Sequence, residues 1–390
     1  MSQSFGDYQL EIYFSALHGR ISDFPMDYAT LERRAAHTLP PSLLSYIAGG
    51  AGDEATQRRN VDVFAEWGLV PRMLVGASER DMSVTVWGMT LPSPIFMAPV
   101  GVAGLVTKDQ HGDIAVAQAA AATGVPAMFS TLMQDPLEDV IAHAGETPSF
   151  FQLYTPKDRD LAASLVERAT HAGYRGIAVT LDTWIPGWRP RDLASGSFPQ
   201  LRGHALKNYT SDPVFRRILG GKEDPQTVVS TWAQIFGNPL TWADLEWLRS
   251  LTDLPIILKG IAHATDARRA IDAGVDGIYC SNHGGRQANG GLTALELLPA
   301  VAEACDGRVP VLFDSGVRSG SDVVKAIALG ATMVGIGRPY VYGLALDGVP
   351  GLIHLLRMFL AEADLLMAVN GYPDFAAVRT NVQRSLGRWT

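Results

Sequence analysis

Cysteine is nearly missing from this chain: Cys280 and Cys305 are the two among 390 residues. Two isolated cysteines make neither a disulfide framework nor a metal-ligand set, so the expectation is a reduced, cytoplasmic setting and no metal. A basic tract is also missing. Forty acidic against 32 basic side chains give a net charge of -8, which argues against nucleic acid as a partner. Long apolar runs are absent too. The uncharged stretch from Ser83 to Thr107 is interrupted by Pro92, Pro94 and Pro99, so it reads as a buried strand with its loop and no membrane span is expected. Met1 to Leu10 shows no basic start and no apolar centre, the marks of a secretory signal.

Apolar side chains are plentiful, at 47%. From residue 93 onward one theme recurs: a short apolar run, a polar or Gly-rich break, then a helical pattern. The runs are Ser93–Pro99, Val125–Ser130, Ser149–Leu153, Gly176–Leu181, Pro255–Lys259, Gly277–Ser281, Val309–Asp314 and Ala331–Gly337. They are apolar on both faces, as parallel strands under helices must be. The joints Ala172-Gly173-Tyr174-Arg175-Gly176-Ile177 and Ala273-Gly274-Val275-Asp276-Gly277-Ile278 share one form, a helix stopping at a left-handed Gly before the next strand. Eight such units predict an α/β fold, the (β/α)8 TIM barrel; a doubly wound open sheet is the alternative and usually has fewer strands. The expected organisation is a single domain over 1–390. It comprises an N-terminal helical cap (1–92, with helices at Asp27–Thr38 and Pro40–Gly49), the barrel (93–340) and C-terminal helices (341–390). A long loop after strand four, 188–254, is rich in Gly and Pro between Gly196 and Asn238 and would form a lid on the catalytic face.

The chemistry-bearing residues sit at strand ends. After strand six, Ser281-Asn282-His283-Gly284-Gly285-Arg286-Gln287 offers a proton acceptor and a planar guanidinium three residues apart, suited to one small anion. Asp182 ends strand four, where it can orient a histidine or simply cap a helix. Arg189 follows, as a second carboxylate clamp or a surface charge. Lys259 ends strand five. It can stabilise negative charge, act as a Schiff-base nucleophile in an aldolase, or form a salt bridge. Asp314-Ser315-Gly316-Val317-Arg318 and Gly335-Ile336-Gly337-Arg338 end strands seven and eight, where barrels hold phosphate. Ser130, Thr131, Gln152 and Tyr154 end strands two and three and face the same mouth.

These segments, with Tyr46 and Ala48-Gly49-Gly50 in the cap, resemble the FMN-dependent 2-hydroxy acid dehydrogenase/oxidase family, in order, from about residue 28 to the C-terminus. Within it, Tyr8-Gln9-Leu10-Glu11-Ile12-Tyr13, Trp67-Gly68-Leu69-Val70-Pro71-Arg72, Thr183-Trp184-Ile185-Pro186-Gly187-Trp188-Arg189-Pro190-Arg191-Asp192 and Ala361-Glu362-Ala363-Asp364-Leu365 are most similar to lactate 2-monooxygenases. The resemblance implies FMN as cofactor. It implies oxidation of L-lactate or a similar small L-2-hydroxy acid with O2, giving acetate, CO2 and water, or keto acid and hydrogen peroxide in an oxidase. It makes His283 the base with Asp182 behind it, and assigns Tyr46, Tyr154, Arg189 and Arg286 to the substrate. Ala98, Pro99, Val100, Ser130, Gln152, Thr180 and Lys259 would border the flavin ring. Asp314, Ser315, Gly316, Val317, Arg318, Gly337 and Arg338 would hold the ribityl chain and phosphate. A homotetramer or homo-octamer is implied as well. Leu132 stands where glycolate-oxidase-like members carry Trp, and Gly101 where many oxidases carry Ala.

Overall fold

Eight short strands lie side by side, all parallel, in the computed structural model of the chain, which describes residues 4–384. They are β1 (Ile95–Met97), β2 (Met128–Ser130), β3 (Phe150–Leu153), β4 (Ile177–Thr180), β5 (Ile256–Lys259), β6 (Gly277–Cys280), β7 (Val311–Phe313) and β8 (Met333–Ile336). Every residue in them is buried, which is why the sequence shows unbroken apolar runs where a half-exposed strand would alternate. Each strand falls inside one of the eight runs. Sequential strands pair from β2 to β8, β8 pairs with β1, and a parallel bridge between Met97 and Ala127 closes the ring. The fold is a (β/α)8 TIM barrel.

One inward side chain from each strand fills the interior: Phe96, Met128, Phe150, Ala178, Ile257, Tyr279, Leu312 and Met333. Burying a side chain such as Phe96 or Ile257 stabilises the ring by roughly 1.5–3 kcal/mol. The hairpin Val84–Val86 with Met89–Leu91 plugs the N-terminal end, where Trp87 Nε1 donates to the Asp276 carbonyl at 2.8 Å and its ring meets Phe150 edge-on. The mouth left open is the C-terminal one. Gly173 and Gly274 take φ of 99° and 82°, the left-handed stops read from their joints.

The cap helix Tyr28–Thr38 starts at Asp27, whose side chain accepts from the Thr30 amide at 2.8 Å, and Pro41–Ala48 follows it. The segment 188–254 departs from the expected loop. It folds as helices Pro190–Ser195, Lys207–Thr210, Pro213–Leu219, Pro225–Ile235 and Asp244–Ser250, with a 3-10 turn at Pro199–Arg202. Its prolines and glycines are helix punctuation: Pro190, Pro213 and Pro225 open helices, and Gly196, Gly203 and Gly220 close them in left-handed geometry. Tyr209, Phe215 and Trp232 are its buried anchors. The C-terminal stretch Arg338–Asn370 is helical on either side of a kink at Asp347 and Gly348, where the backbone leaves helical geometry, and a short helix follows at Phe375–Arg379; the ends of the expected cap and C-terminal region, 1–3 and 385–390, lie outside the described residues. Among the described residues no helix is long and apolar enough to cross a membrane.

Candidate active site

A cleft of about 1070 Å³ occupies the open mouth. His283 enters it from a turn in which His283, Gly284 and Gly285 all have positive φ, at 57°, 64° and 72°. Such a run strains any residue with a side chain, and a Cβ on Gly285 would lie 2.7 Å from the backbone of Gln57. The neighbouring amides hold the turn in place: Asn282 and Asn60 exchange hydrogen bonds at 2.8 and 2.9 Å, and Ser281 Oγ accepts from the His283 amide at 3.0 Å.

His283 Nδ1 lies 2.8 Å from Asp182 Oδ1 and 3.0 Å from Thr183 Oγ1, and the Thr183 hydroxyl donates to Asp182 Oδ1 at 2.8 Å. A carboxylate only accepts, so Nδ1 carries the hydrogen and Nε2 keeps its lone pair on the cleft side. Burial pulls His283 below the ordinary histidine value; Asp182 opposes that and Lys259 reinforces it. For Asp182 burial pushes upward, but the charge of Lys259, the charge His283 takes on once protonated, and hydrogen bonds from His283 and Thr183 outweigh it and hold the carboxyl well below its usual range. The result is a neutral base backed by an ionised orienter.

Across the cleft two guanidinium groups flank the Tyr46 ring, Arg286 at 4.9 Å and Arg189 at 5.8 Å from its centroid. Arg189 donates from Nε to the Arg286 carbonyl at 3.1 Å and from Nη2 to Gln287 Oε1 at 2.6 Å. Arg286 Nη1 reaches the carbonyls of Tyr46, Ile47 and Gly49. All of these acceptors are neutral. Burial, with Arg189 beside it, pulls Arg286 down to about 9, the signature of a cation that wants an anion. Tyr154, pushed up by burial, feels the charges of Asp182, Arg189 and Arg286 around it.

Lys259 Nζ donates to Ser281 Oγ at 3.0 Å and lies 3.7 Å from Asp314 Oδ2. Asp314 also accepts from the hydroxyls of Tyr279, Ser281 and Ser315. Beyond it Gly316 has φ of 91°, and a Cβ there would fall 1.9 Å from the Asn60 carbonyl oxygen. The helix Arg338–Asn370 starts at the cleft with no side-chain cap. Arg338 donates to the carbonyls of Ile47, Gly49 and Gly284 and to Gln57, and burial together with Arg318 pulls it down to about 10.

Residues 35–385 match the model of the FMN-dependent dehydrogenase family. The chain belongs to that family. It is 40% identical over 390 residues to the FMN-dependent alpha-hydroxy acid dehydrogenase qulF of Penicillium citrinum, covering 98% of this chain and 96% of the relative. It is 39% identical to an L-lactate oxidase of Lysinibacillus sphaericus, covering 92% of each. A crystal structure of mandelate oxidase superposes with a TM-score of 0.83 at 35% identity, over 93% of this chain and all of that one. This FMN-dependent dehydrogenase is thus an oxidoreductase of 2-hydroxy acids, and the aldolase reading of Lys259 falls away.

The cleft fits FMN on charge. Arg189, Arg286, Arg318, Arg338 and Lys259 line it against a single carboxylate, Asp314, and none of the four arginines is ion-paired to a carboxylate among the described residues. A phosphate dianion and a carboxylate would supply the missing negative charge. The uncapped helix start at Gly337 and Arg338, with Arg318, is suited to the phosphate.

Tyr46, Ala98, Pro99, Val100, Tyr154, Arg189, Lys259, His283, Arg286, Asp314, Ser315, Gly316, Val317, Arg318, Gly337 and Arg338 all line this one cleft. Asp182 stands behind His283. Ser130, Gln152 and Thr180 lie on adjacent strands at the same end of the barrel, Ser130 in register with Gln152 and Thr180 with Lys259. They form a buried chain, Ser130 Oγ to Gln152 Oε1 at 2.9 Å and Gln152 Nε2 to Thr180 Oγ1 at 2.8 Å. Sequence reasoning passed over Thr183, over Gln287 (which ties Arg189 to the carbonyls of Asp182 and Ile185) and over the aromatic wall of Phe198, Trp232 and Phe236. Gln287 lay within the quoted motif. The wall was hidden in the segment read as loop.

Proposed function

We propose that this enzyme oxidises L-lactate or a similarly small L-2-hydroxy acid with O2 and keeps the keto acid in place until it is decarboxylated, as a lactate 2-monooxygenase does. FMN, when bound, takes two electrons from the substrate and passes them to O2. The chain's part is placement and charge. Arg189 and Arg286 bind the carboxylate, Tyr46 and Tyr154 hydrogen-bond the substrate, and His283 Nε2 takes up the proton. Asp182 stabilises the imidazolium that forms. Lys259 and Ala98 to Val100 would border the flavin ring, and Asp314 to Arg318 with Gly337 and Arg338 would hold the ribityl chain and phosphate. Ser130, Gln152 and Thr180 would border the flavin ring from the strand ends.

The observation that carries the retention reading is the roof. Phe198, Trp232 and Phe236, from the helical segment 188–254, line the cleft. That segment is tied to the barrel loops by Gln200 Nε2 donating to the Gly101 carbonyl at 3.2 Å and the Ala205 amide donating to Gln134 Oε1 at 2.9 Å. A fastened apolar lid slows product escape, so peroxide meets pyruvate and yields acetate, CO2 and water. The second reading, an oxidase releasing pyruvate and peroxide, is favoured by the likeness to a relative named L-lactate oxidase. Product analysis under air with L-lactate decides: acetate and CO2 support retention, and stoichiometric pyruvate with peroxide overturns it. We place the enzyme in the cytoplasm as a homotetramer or homo-octamer; Leu10, Tyr13, Phe14 and Leu17, exposed at helical spacing on the N-terminal helix Asp7–Leu17, offer it contact surface.

A further inference from the structure

One buried carboxylate near the cleft has no part in the chemistry above. Asp192 is the sole acidic side chain of the helix Pro190–Ser195, three residues beyond Arg189. It is 6% exposed, and neither of its carboxylate oxygens has a hydrogen-bond partner. A fold keeps a buried, unpartnered carboxylate only where nearby charge offsets the lost solvation. Burial pushes its carboxyl up, and the cations that act against this are Arg286, Arg189 and Arg191. Arg191 is half exposed and already paired with Glu54. That leaves Arg189, in the same turn as Asp192, and Arg286, whose carbonyl accepts from Arg189 Nε at 3.1 Å, and the hydrogen bonds of both guanidinium groups all go to neutral oxygens.

Backbone hydrogen bonds fix where the residue sits. The Asp192 carbonyl accepts from Ser195 Oγ and from the Ser197 amide, both at 3.1 Å, and the Leu193 amide donates to the Arg189 carbonyl at 3.0 Å. Arginine and aspartate thus share one rigid turn. Two guanidinium charges and one carboxylate leave the clamp a single net positive charge, which one substrate carboxylate neutralises. A second carboxylate on the substrate would leave the clamp with a net negative charge and no cation to balance it.

We propose that Asp192 is a specificity-determining residue: its fixed negative charge beside Arg189 and Arg286 sets the clamp for 2-hydroxy acids with one carboxylate and turns away dianionic ones. This rests on reading Arg189 and Arg286 as the carboxylate clamp.

A charge ladder tests it: lactamide, neutral; L-lactate, one charge; and 2-hydroxymalonate, which is lactate with its methyl replaced by a second carboxylate. Dissociation constants of all three are measured on the FMN-loaded enzyme by spectral titration or competition. Asp192→Asn should improve the affinity for 2-hydroxymalonate relative to lactate by roughly tenfold, the size of one charge removed from a partly screened site, and leave lactamide unchanged. Asp192→Ser should move the ratio in the same direction, which guards against a local misfit of the asparagine. An unchanged 2-hydroxymalonate-to-lactate ratio in both variants, with all three ligands weakened alike, would reduce Asp192 to a structural residue and overturn the proposal. Failure of wild-type enzyme to bind lactate would overturn the clamp reading instead.

Discussion

His283 and Asp182 stand 101 residues apart in the chain and meet at 2.8 Å, Nδ1 to Oδ1. The contact fixes which ring nitrogen carries hydrogen and turns the other toward substrate. His283→Gln keeps the cleft's shape and its FMN but loses the proton acceptor. Anaerobic bleaching of the flavin by L-lactate should slow by about 10²–10⁴-fold, and normal bleaching would remove His283 from the base role.

The acid limb of the pH profile follows from the same pair. The base works only unprotonated, and burial holds His283 below its ordinary 6.5. The plateau of kcat/KM should therefore extend to the acid side of 6.5 before it falls. Asp182 raises the pKa of His283, so Asp182→Asn should move the limb to still lower pH while lowering the plateau. A wild-type limb above 6.5 would contradict the buried, neutral imidazole.

Arg189 acts on binding. Arg189→Met should raise KM for lactate by roughly 10- to 150-fold, the worth of about 1.5–3 kcal/mol for a charge-assisted contact, with a smaller effect on kcat. Steady-state kinetics over a range of lactate concentrations separates the two. An effect confined to kcat would assign Arg189 to the transition state.

Two glycines in the phosphate loops should respond differently to alanine. Gly316 has φ of 91° and would drive a Cβ to 1.9 Å from the Asn60 carbonyl oxygen. Gly316→Ala should destabilise the apoprotein by about 2–4 kcal/mol. Gly337 has φ of -108° and no atom within 4 Å of its Cβ position. Gly337→Ala should leave apoprotein stability nearly unchanged while weakening FMN, because its methyl projects into space the cofactor needs. Thermal unfolding with and without FMN, plus fluorescence titration, checks both.

The barrel was legible because strands buried on both faces leave runs such as Gly277–Cys280 with no polar alternation to confuse them. His283, Arg286 and Lys259 were legible because Lys259 ends one such run and His283 and Arg286 follow another, where the ring must open. The segment 188–254 was not. Pro213 and Gly220 carry the same letters whether they break a chain or start and stop a helix, and only the packing of Tyr209, Phe215 and Trp232 decides between the two. Ser130 and Gln152 were legible as strand ends and Thr180 through the resemblance alone; that their side chains bond to one another is a partnering that residue spacing does not encode.

The glycines at 284 and 285 have a consequence for how this enzyme can be taken apart. Gly285 presses on Gln57, Asn282 interlocks with Asn60, and Arg286 and Arg338 hang on the carbonyls of Tyr46 to Gly49. A ring begun at residue 93 could close upon itself and still lack a site, because the scaffold that aims the base and both substrate-side and phosphate-side arginines belongs to the preceding helices. Competence resides at that seam, and chimeras between relatives should be cut elsewhere.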